Sequence, residues 1–274
     1  MLHSPRARLG QRLHRWVWEL PDDEEFVRRF NIANRRWKIP LELEYDDASR
    51  MFLVGSADQR VAIARRSRLK YYFKGIANRE HQLVREYFLD DVEFSRGDVV
   101  IDVGANVGEV SRLLARRHSV IPLSFEPSLP EFRALEINTA GLGGRAWNDV
   151  LWSTDEVVEF HEANDSGDSS VFAPPNAKGS ELRRAITLDR ALAVSGFEAG
   201  PIKLLKLEAE GAEPEILEGA SQTLERVEHL VADVGPERGI DRESTLVPVY
   251  ELLRSRGFTA KKVAFNRPVM LFVR

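Results

Sequence analysis

The chain has 274 residues, a formal net charge of −4, 43% hydrophobic residues and 30% charged residues. This is the composition of a globular protein with room for one large α/β domain and a smaller appendage. The absence of cysteine excludes disulfides, thiolate catalysis and cysteine-ligated metals. No apolar run reaches the roughly 18–20 residues that a membrane-spanning helix needs, and we expect a cytoplasmic protein.

The first 95 residues predict a mainly helical N-terminal extension with a small β-hairpin. Residues 9–20 form an amphipathic pattern in which an apolar helical face opposes three arginines. The apolar face is Leu9, Leu13, Trp16, Val17 and Leu20, and the arginines are Arg8, Arg12 and Arg15. Such a helix packs on its own domain or on a second copy in a homodimer; the alternative is contact with an anionic surface at the inner membrane face. Residues 41–45 and 51–55 predict the hairpin.

Residues 60–74 concentrate six basic side chains without one acid. These are Arg60, Arg65, Arg66, Arg68, Lys70 and Lys74. A solvated helix face explains such a run; capture of an anionic acceptor, such as an acidic glycan or a lipid-linked sugar phosphate, is the alternative. Nucleic acid is disfavoured, because few aromatic side chains for base stacking accompany the charges. The polar stretch 93–98 then predicts a boundary between an extension, 1–95, and a main domain, 96–274.

Residues 99–114, VVIDVGANVGEVSRLL, predict a buried parallel strand, a glycine turn and the start of a helix. Such a turn lets the backbone approach a ligand closely and directs unpaired helix N–H groups at it. Asp102 lies inside the apolar strand, where an unpaired carboxylate would be costly. We therefore expect a dedicated partner for Asp102.

The next strand, 120–125, ends in Glu126, near the distance at which nucleotide-binding folds place a ribose-binding acid. A carboxylate can accept both ribose hydroxyl protons, so Glu126 is interpreted as a ribose ligand. The turn reads D-x-G-x-N-x-G and lacks the third glycine of the dinucleotide fingerprint, which argues against NAD. Asn106 offers an amide to a carboxylate or amine. The pattern therefore favours S-adenosylmethionine.

Strands and helices continue to alternate, with acids after two of the later strands. Strand 202–207 is followed by Glu208, Glu210 and Glu213, and strand 229–234 contains Asp233. The carboxyl ends of parallel strands share one edge of the sheet, where ligands bind. Glu208, Glu210 and Asp233 are therefore the candidates for deprotonating an acceptor; binding Mg²⁺ is an alternative role for them. The chain closes with a hairpin, 258–265 and 269–273.

Four motifs together resemble the FkbM family of class I S-adenosylmethionine-dependent methyltransferases. They are DVGANVGEVS, FEP at 125–127, TLD at 187–189 and KLEAEGAEPEILEGA at 206–220, and the resemblance spans roughly residues 70–274. It implies an α/β Rossmann-like fold, with a mostly parallel sheet and a closing antiparallel hairpin. It also implies O-methylation of a hydroxyl on a sugar, a glycan or glycolipid, or a secondary metabolite. Glu208 stands where the family usually has Asp, and Asp233 stands where Glu is expected.

The resemblance also implies which residues bind the cofactor, and we expect no metal. The methionine end would lie at Asp102, Gly104, Ala105, Asn106, Gly108 and Ser111, the ribose at Glu126 and Pro127, and the adenine at Asn148 and Asp149. A non-catalytic S-adenosylmethionine-binding module would carry the same cofactor residues. A nucleic-acid methyltransferase could use the basic segment, but no Pro-Pro-aromatic motif for amino methylation follows strand 202–207.

Overall fold

A computed structural model describes residues 17–21, 24–39, 41–56, 59–163, 169–175, 177–265 and 267–274. Most of the predicted N-terminal amphipathic helix, including its three arginines, lies outside the described residues. The chain divides into two compact units, Met1–Arg79 and Glu80–Arg274. No helix in the described ranges is long and apolar enough to span a membrane.

The first unit contains a helix and a small antiparallel sheet. Its elements are α1 (Glu24–Trp37), β1 (Leu43–Asp46), β2 (Met51–Ser56), β3 (Gln59–Ile63) and a 3-10 helix (Arg66–Tyr72). β1, β2 and β3 pair in that order, so the predicted hairpin gains a third strand. The helix predicted over 60–74 is wrong at its start, because the apolar run 61–63 is buried as a strand against β2.

The second unit is built on a seven-stranded sheet. In spatial order its strands are β14 (Thr259–Ala264), β15 (Val269–Val273), β11 (Val227–Asp233), β10 (Ile202–Leu207), β4 (Val99–Val103), β5 (Ile121–Phe125) and β6 (Arg145–Trp147). The five strands from β11 to β6 are mutually parallel. β15 pairs antiparallel with both β11 and β14. The predicted α/β sheet with a closing antiparallel hairpin is therefore confirmed.

Helices cover both faces of this sheet. On one face, Ile101 and Leu205 pack with α5 (Leu188–Ala193), α6 (Glu213–Glu218), α7 (Ser221–Leu224) and α8 (Leu246–Ser255). On the other face, Val100 and Leu204 pack with α2 (Ile76–Glu86) and α3 (Glu109–His118). A further helix, α4 (Leu129–Thr139), follows β5. Because both faces are buried at the centre of the sheet, the strands β4, β5, β10 and β11 are apolar apart from a few polar residues that have dedicated partners.

The predicted third strand, 145–152, is split in two. β6 stays in the main sheet, whereas β7 (Val150–Leu151) joins β9 (Ala177–Ile186) and β8 (Glu156–Ala163) in a second sheet. The break falls at Asn148, whose side-chain amide donates to the carbonyls of Glu126 and Pro127, at 2.8 Å each. These bonds turn the backbone out of the main sheet directly after β6. A short pair, β12 (Pro236–Arg238) and β13 (Glu243–Ser244), follows β11.

Candidate active site

The glycine turn after β4 is shaped by close approach to the end of β10. Gly104 has φ +65, and a Cβ there would lie 1.7 Å from the carbonyl oxygen of Glu208. Only glycine fits this contact. Gly108 has φ +79 at the start of α3, and Asn106 has φ +51 between the two glycines. The N–H of Ala105 donates to the Phe125 carbonyl at 3.0 Å, which fixes the turn to the end of β5.

Asp102 has the dedicated partners that its position required. Its Oδ2 accepts a hydrogen bond from Ser111 Oγ at 2.7 Å, and its Oδ1 lies 3.1 Å from Lys206 Nζ. Ser111 Oγ is also 2.8 Å from Ser124 Oγ. Asp102 and Ser111 are completely buried, so both support the turn from beneath.

Glu126 lies beside the glycine turn and is held by two backbone N–H groups. Its Oε2 accepts from Asn106 and its Oε1 from Ser128, at 2.8 Å each. Burial raises the pKa of Glu126 to about 7, although both N–H donors lower it. Each oxygen retains acceptor capacity, which suits the two hydroxyls of a ribose.

The chain after β6 forms the expected adenine end of the site. The carbonyl of Asn148 accepts from Arg183 Nη2 at 2.9 Å, and that of Pro127 accepts from Arg183 Nη1 at 3.0 Å. The amide of Asn148 is already bonded to backbone carbonyls, so this side chain orders the loop. Within the described ranges, the carboxylate of Asp149 makes no hydrogen bond and is available to an adenine amine.

Glu208 is the most strongly paired carboxylate at this edge of the sheet. It accepts hydrogen bonds from Tyr87 and Arg267, and Lys206 Nζ lies 3.2 Å from its Oε2. Burial by itself raises the pKa of Glu208. The positive charges of Lys206 and Arg267, together with the hydrogen bond from Tyr87, outweigh burial and lower the pKa to about 2. Glu208 is therefore ionised and a weak base.

Lys206 connects Glu208 to the glycine turn. Its ammonium donates to the carbonyls of Gly104 at 2.6 Å and Val103 at 3.1 Å. Burial lowers the pKa of Lys206, but the carboxylates of Asp102 and Glu208 reverse this effect and raise it. A buried ammonium with such partners keeps its charge.

Asp233 shares Arg267 with Glu208. Its Oδ2 accepts from Arg267 Nε at 2.6 Å, and its Oδ1 accepts from the Gly235 N–H at 3.0 Å. Burial raises the pKa of Asp233, with a further contribution from Glu208, against the opposing effect of Arg267. Arg267 itself has a raised pKa, because the effects of Glu208, Tyr87 and Asp233 exceed the lowering effect of burial.

The loop after β10 is held by Glu213 rather than by Glu210. Glu213 Oε1 accepts from the N–H groups of Ala209 at 2.7 Å and Gly211 at 3.2 Å, and burial raises the pKa of Glu213 to about 7. Glu210 has φ +50, and its carbonyl accepts from Ser170 Oγ at 2.9 Å. Within the described residues, no group of three or more His, Cys, Asp or Glu side chains is arranged to hold a metal ion.

Four side chains at this edge were not recognised from the sequence: Tyr87, Lys206, Glu237 and Arg267. Lys206 carried a signal, since a lysine in the apolar strand IKLLKL needs a buried anion. Its partner Asp102 lies directly opposite in the parallel register of β4 and β10. Arg267 lies in the turn of the closing hairpin, and nothing in the local pattern indicates its carboxylate partners, which are Glu208, Asp233 and Glu86.

The site fits S-adenosylmethionine on its own chemistry. The glycine turn leaves no room for a Cβ at Gly104. Glu126 is a buried carboxylate whose protein partners are two N–H groups, so it retains capacity for hydroxyl donors. Gly104, Asn106 and Gly108 would enclose the methionine end, and Glu126 would bind the ribose.

Comparisons with known proteins agree with this fit. The chain matches the Methyltransferase FkbM domain over residues 102–259. It is 28% identical over 217 residues to the 31-O-demethyl-FK506 methyltransferase FkbM of Streptomyces tacrolimicus, a similarity that covers 65% of this chain and 81% of that protein.

Two solved methyltransferase structures are also similar. One is a precorrin-6y C5,15-methyltransferase from Geobacter metallireducens, with 12% identity, a TM-score of 0.43 and coverage of 70% of this chain and 88% of that one. The other is a methyltransferase from Aquifex aeolicus, with 12% identity, a TM-score of 0.41 and coverage of 76% and 91%. Because the domain match spans more than half of the sequence, the chain belongs to the FkbM family of methyltransferases and uses S-adenosylmethionine.

Proposed function

We propose that this methyltransferase transfers the methyl group to a hydroxyl oxygen of a sugar, a glycan or glycolipid, or a secondary metabolite. The observation that carries the proposal is the group of acids beside the glycine turn, after β10 and β11. Glu208 is linked to Gly104 through Lys206, and Asp233 is linked to Glu208 through Arg267. A hydroxyl must lose a proton on methylation, and a nearby carboxylate can accept it. The relative from Streptomyces tacrolimicus is named a 31-O-demethyl-FK506 methyltransferase, and this name describes methylation at an oxygen.

When bound, S-adenosylmethionine supplies a methyl group that its sulfonium has already activated. The glycine turn and Glu126 would hold the donor in a fixed position relative to the acids. Alignment of this kind contributes roughly 7–11 kcal/mol to lowering a barrier. A correctly placed carboxylate base adds about 10²–10⁴-fold. Glu208 is a poor base, because its pKa is about 2 and its oxygens already accept bonds, so its role is to position Arg267 and Lys206.

The test is transfer of a carbon-13-labelled methyl group to a panel of monosaccharides, uronic acids, glycolipids and polyketide alcohols. The chemical shift of the transferred carbon distinguishes an ether from an amine or a carbon-bound methyl. We expect an ether with at least one class. Transfer to nitrogen or carbon contradicts O-methylation, and labelling of added RNA or DNA would indicate a nucleic-acid methyltransferase. Cofactor binding without transfer to any compound would indicate a binding module.

We further propose that the acceptor carries negative charge. In the described part of the basic segment, three cations are exposed: Arg60, Lys70 and Lys74. Exposed positive charges attract anions over about a Debye length, which is about 8 Å at 0.15 M salt. We expect the acceptor KM to rise with salt, and to rise when all three residues are changed to Gln. A KM that is equal in both proteins and independent of salt would contradict the proposal.

A further inference from the structure

Glu237 is a half-buried carboxylate at the edge of the sheet that carries the cofactor turn. It lies in β12, just after the carboxyl end of β11. The pairing of β12 with β13 shifts register between Pro236 and Arg238, which makes Glu237 the extra residue of a β-bulge. Bulges re-aim a single side chain and are frequent next to active sites.

The neighbouring Arg238 clamps this bulge to the loop after β10. Its Nη1 donates to the Gly211 carbonyl at 3.0 Å, and its guanidinium makes two bonds to the Glu215 carboxylate, at 3.0 and 2.7 Å. The same guanidinium lies 3.8 Å from the centre of the Phe172 ring. Glu237 is therefore held beside the loop that contains Glu208 by a rigid, bidentate ion pair.

The carboxylates of Glu237 and Asp233 both lie close to Gly235. A Cβ built on Gly235 would lie 3.1 Å from Asp233 Oδ1 and 3.6 Å from Glu237 Oε1. Asp233 is bonded through both oxygens, to Arg267 and to the Gly235 N–H. Across the residues that the structure describes, the Glu237 carboxylate accepts no hydrogen bond. Glu237 thus has both oxygens available to a ligand.

The charges around Glu237 favour its protonated form. Burial raises the pKa of Glu237 to about 8, and three acids add to the effect while the cation Arg267 opposes it. The three acids are Asp233 at the end of β11, Glu208 after β10 and Glu213 at the start of α6. A general base is most effective when its pKa lies near the working pH.

We propose that Glu237 is the catalytic base that accepts the proton of the acceptor hydroxyl, an inference that rests on the proposed O-methylation. The hydroxyl O–H bond breaks as its proton passes to a carboxylate oxygen of Glu237. The hydroxyl oxygen of the acceptor forms the new bond to the methyl carbon, and the bond from that carbon to sulfur breaks with its electron pair left on sulfur. Glu237 then returns the proton to water. Glu208 and Asp233 act as positioning residues through Arg267.

The test compares wild type, Glu237→Gln and the control Glu243→Gln, whose side chain is exposed on β13. The single-turnover rate is measured from pH 6 to 9 with the compound that the wild type methylates in the panel above. For Glu237→Gln we expect a loss of about 10²–10⁴-fold in rate, with S-adenosylmethionine affinity unchanged. The wild-type rate should rise with pH, reach half of its maximum near pH 8 and level off above that pH, whereas the residual rate of Glu237→Gln should be flat.

A second measurement needs no acceptor. Carbon-13 NMR follows the titration of Glu237 directly in protein that is labelled at the glutamate carboxyl carbons. The signal of Glu237 is identified as the one that is lost in Glu237→Gln. We expect a midpoint near 8; a midpoint near the ordinary 4.5 overturns the proposal. A wild-type rate in Glu237→Gln also overturns it and leaves O-methylation intact. If the wild type methylates no hydroxyl compound, O-methylation fails, and this inference fails with it.

Discussion

Lys206 and Lys203 offer a matched pair of lysines on the same strand. The side chain of Lys206 is 3% exposed and lies 3.1 and 3.2 Å from the carboxylates of Asp102 and Glu208. The side chain of Lys203 is 20% exposed and lies 2.7 Å from Glu228, which is 47% exposed. Replacing either lysine by Met removes one charge and keeps an unbranched apolar stem. The two variants therefore differ in the burial of the acids that lose their partner.

The expected cost is far larger at Lys206. Removing one partner of a buried ion pair costs about 3–5 kcal/mol, because the remaining charge is left unpaired in a dry environment. An exposed pair contributes about 0–1 kcal/mol. The pKa of Glu208, about 2 against an ordinary 4.5, corresponds to a stabilisation on the order of 3 kcal/mol, shared among Lys206, Arg267 and Tyr87.

Urea unfolding followed by tryptophan fluorescence measures both variants. At pH 7 we expect the free energy of unfolding to fall by about 3–5 kcal/mol in Lys206→Met and by at most about 1 kcal/mol in Lys203→Met. A lowered carboxyl pKa stabilises the fold above the unfolded pKa, and this contribution is lost as pH falls. The deficit of Lys206→Met should therefore persist from pH 7 to about pH 5 and shrink as the pH falls from about 4.5 towards 2. Equal costs for the two variants would refute the reasoning.

Two further predictions concern the cofactor side of the site. Gly104→Ala should abolish cofactor binding, because its Cβ would meet the Glu208 carbonyl. The control Gly97→Ala has φ +87 and nothing within 4 Å of its Cβ, so it should cost only about 1–2 kcal/mol of stability and leave cofactor binding intact. Equal calorimetric affinities for the cofactor in both variants would contradict this. Glu126 has a pKa of about 7, and ribose hydroxyls that donate to its charged form should lower that pKa on binding. The affinity for S-adenosylmethionine should therefore decrease as the pH is lowered from 8 to 6, by at most about tenfold per pH unit. Glu126→Gln should remove this pH dependence. A wild-type affinity that does not change with pH would contradict the prediction.

Features set by residues close together along the chain could be predicted from the sequence. The strand, the glycine turn and the start of α3 follow one another within 99–114, so their apolar spacing and glycines determine them directly. Glu126 was identifiable because it ends the next strand of the same β-α-β unit. The mostly parallel sheet with its closing antiparallel hairpin then followed from the alternation of strands and helices, together with the family motifs.

Features set by contacts between distant parts of the chain could not be predicted. Glu208 accepts from Tyr87, which lies 121 positions away, and from Arg267, which lies 59 positions away. No periodicity encodes these pairings, and because of them we propose a positioning role for Glu208, which the sequence presented as a candidate base. Glu237 depends on a one-residue bulge whose register only the folded pair of strands reveals.

The central claim is that Glu126 binds the cofactor beside the glycine turn. Calorimetric titration of S-adenosylmethionine into wild type, Glu126→Ala and Glu136→Ala tests it most directly, because Glu136 is an exposed glutamate on the helix that follows Glu126. At about 1.5–3 kcal/mol for each hydrogen bond to a charged group, Glu126→Ala should weaken binding at least tenfold. Glu136→Ala should bind as the wild type does, and NAD should not bind. Unchanged affinity in Glu126→Ala, or binding of NAD at the same site, would contradict the account.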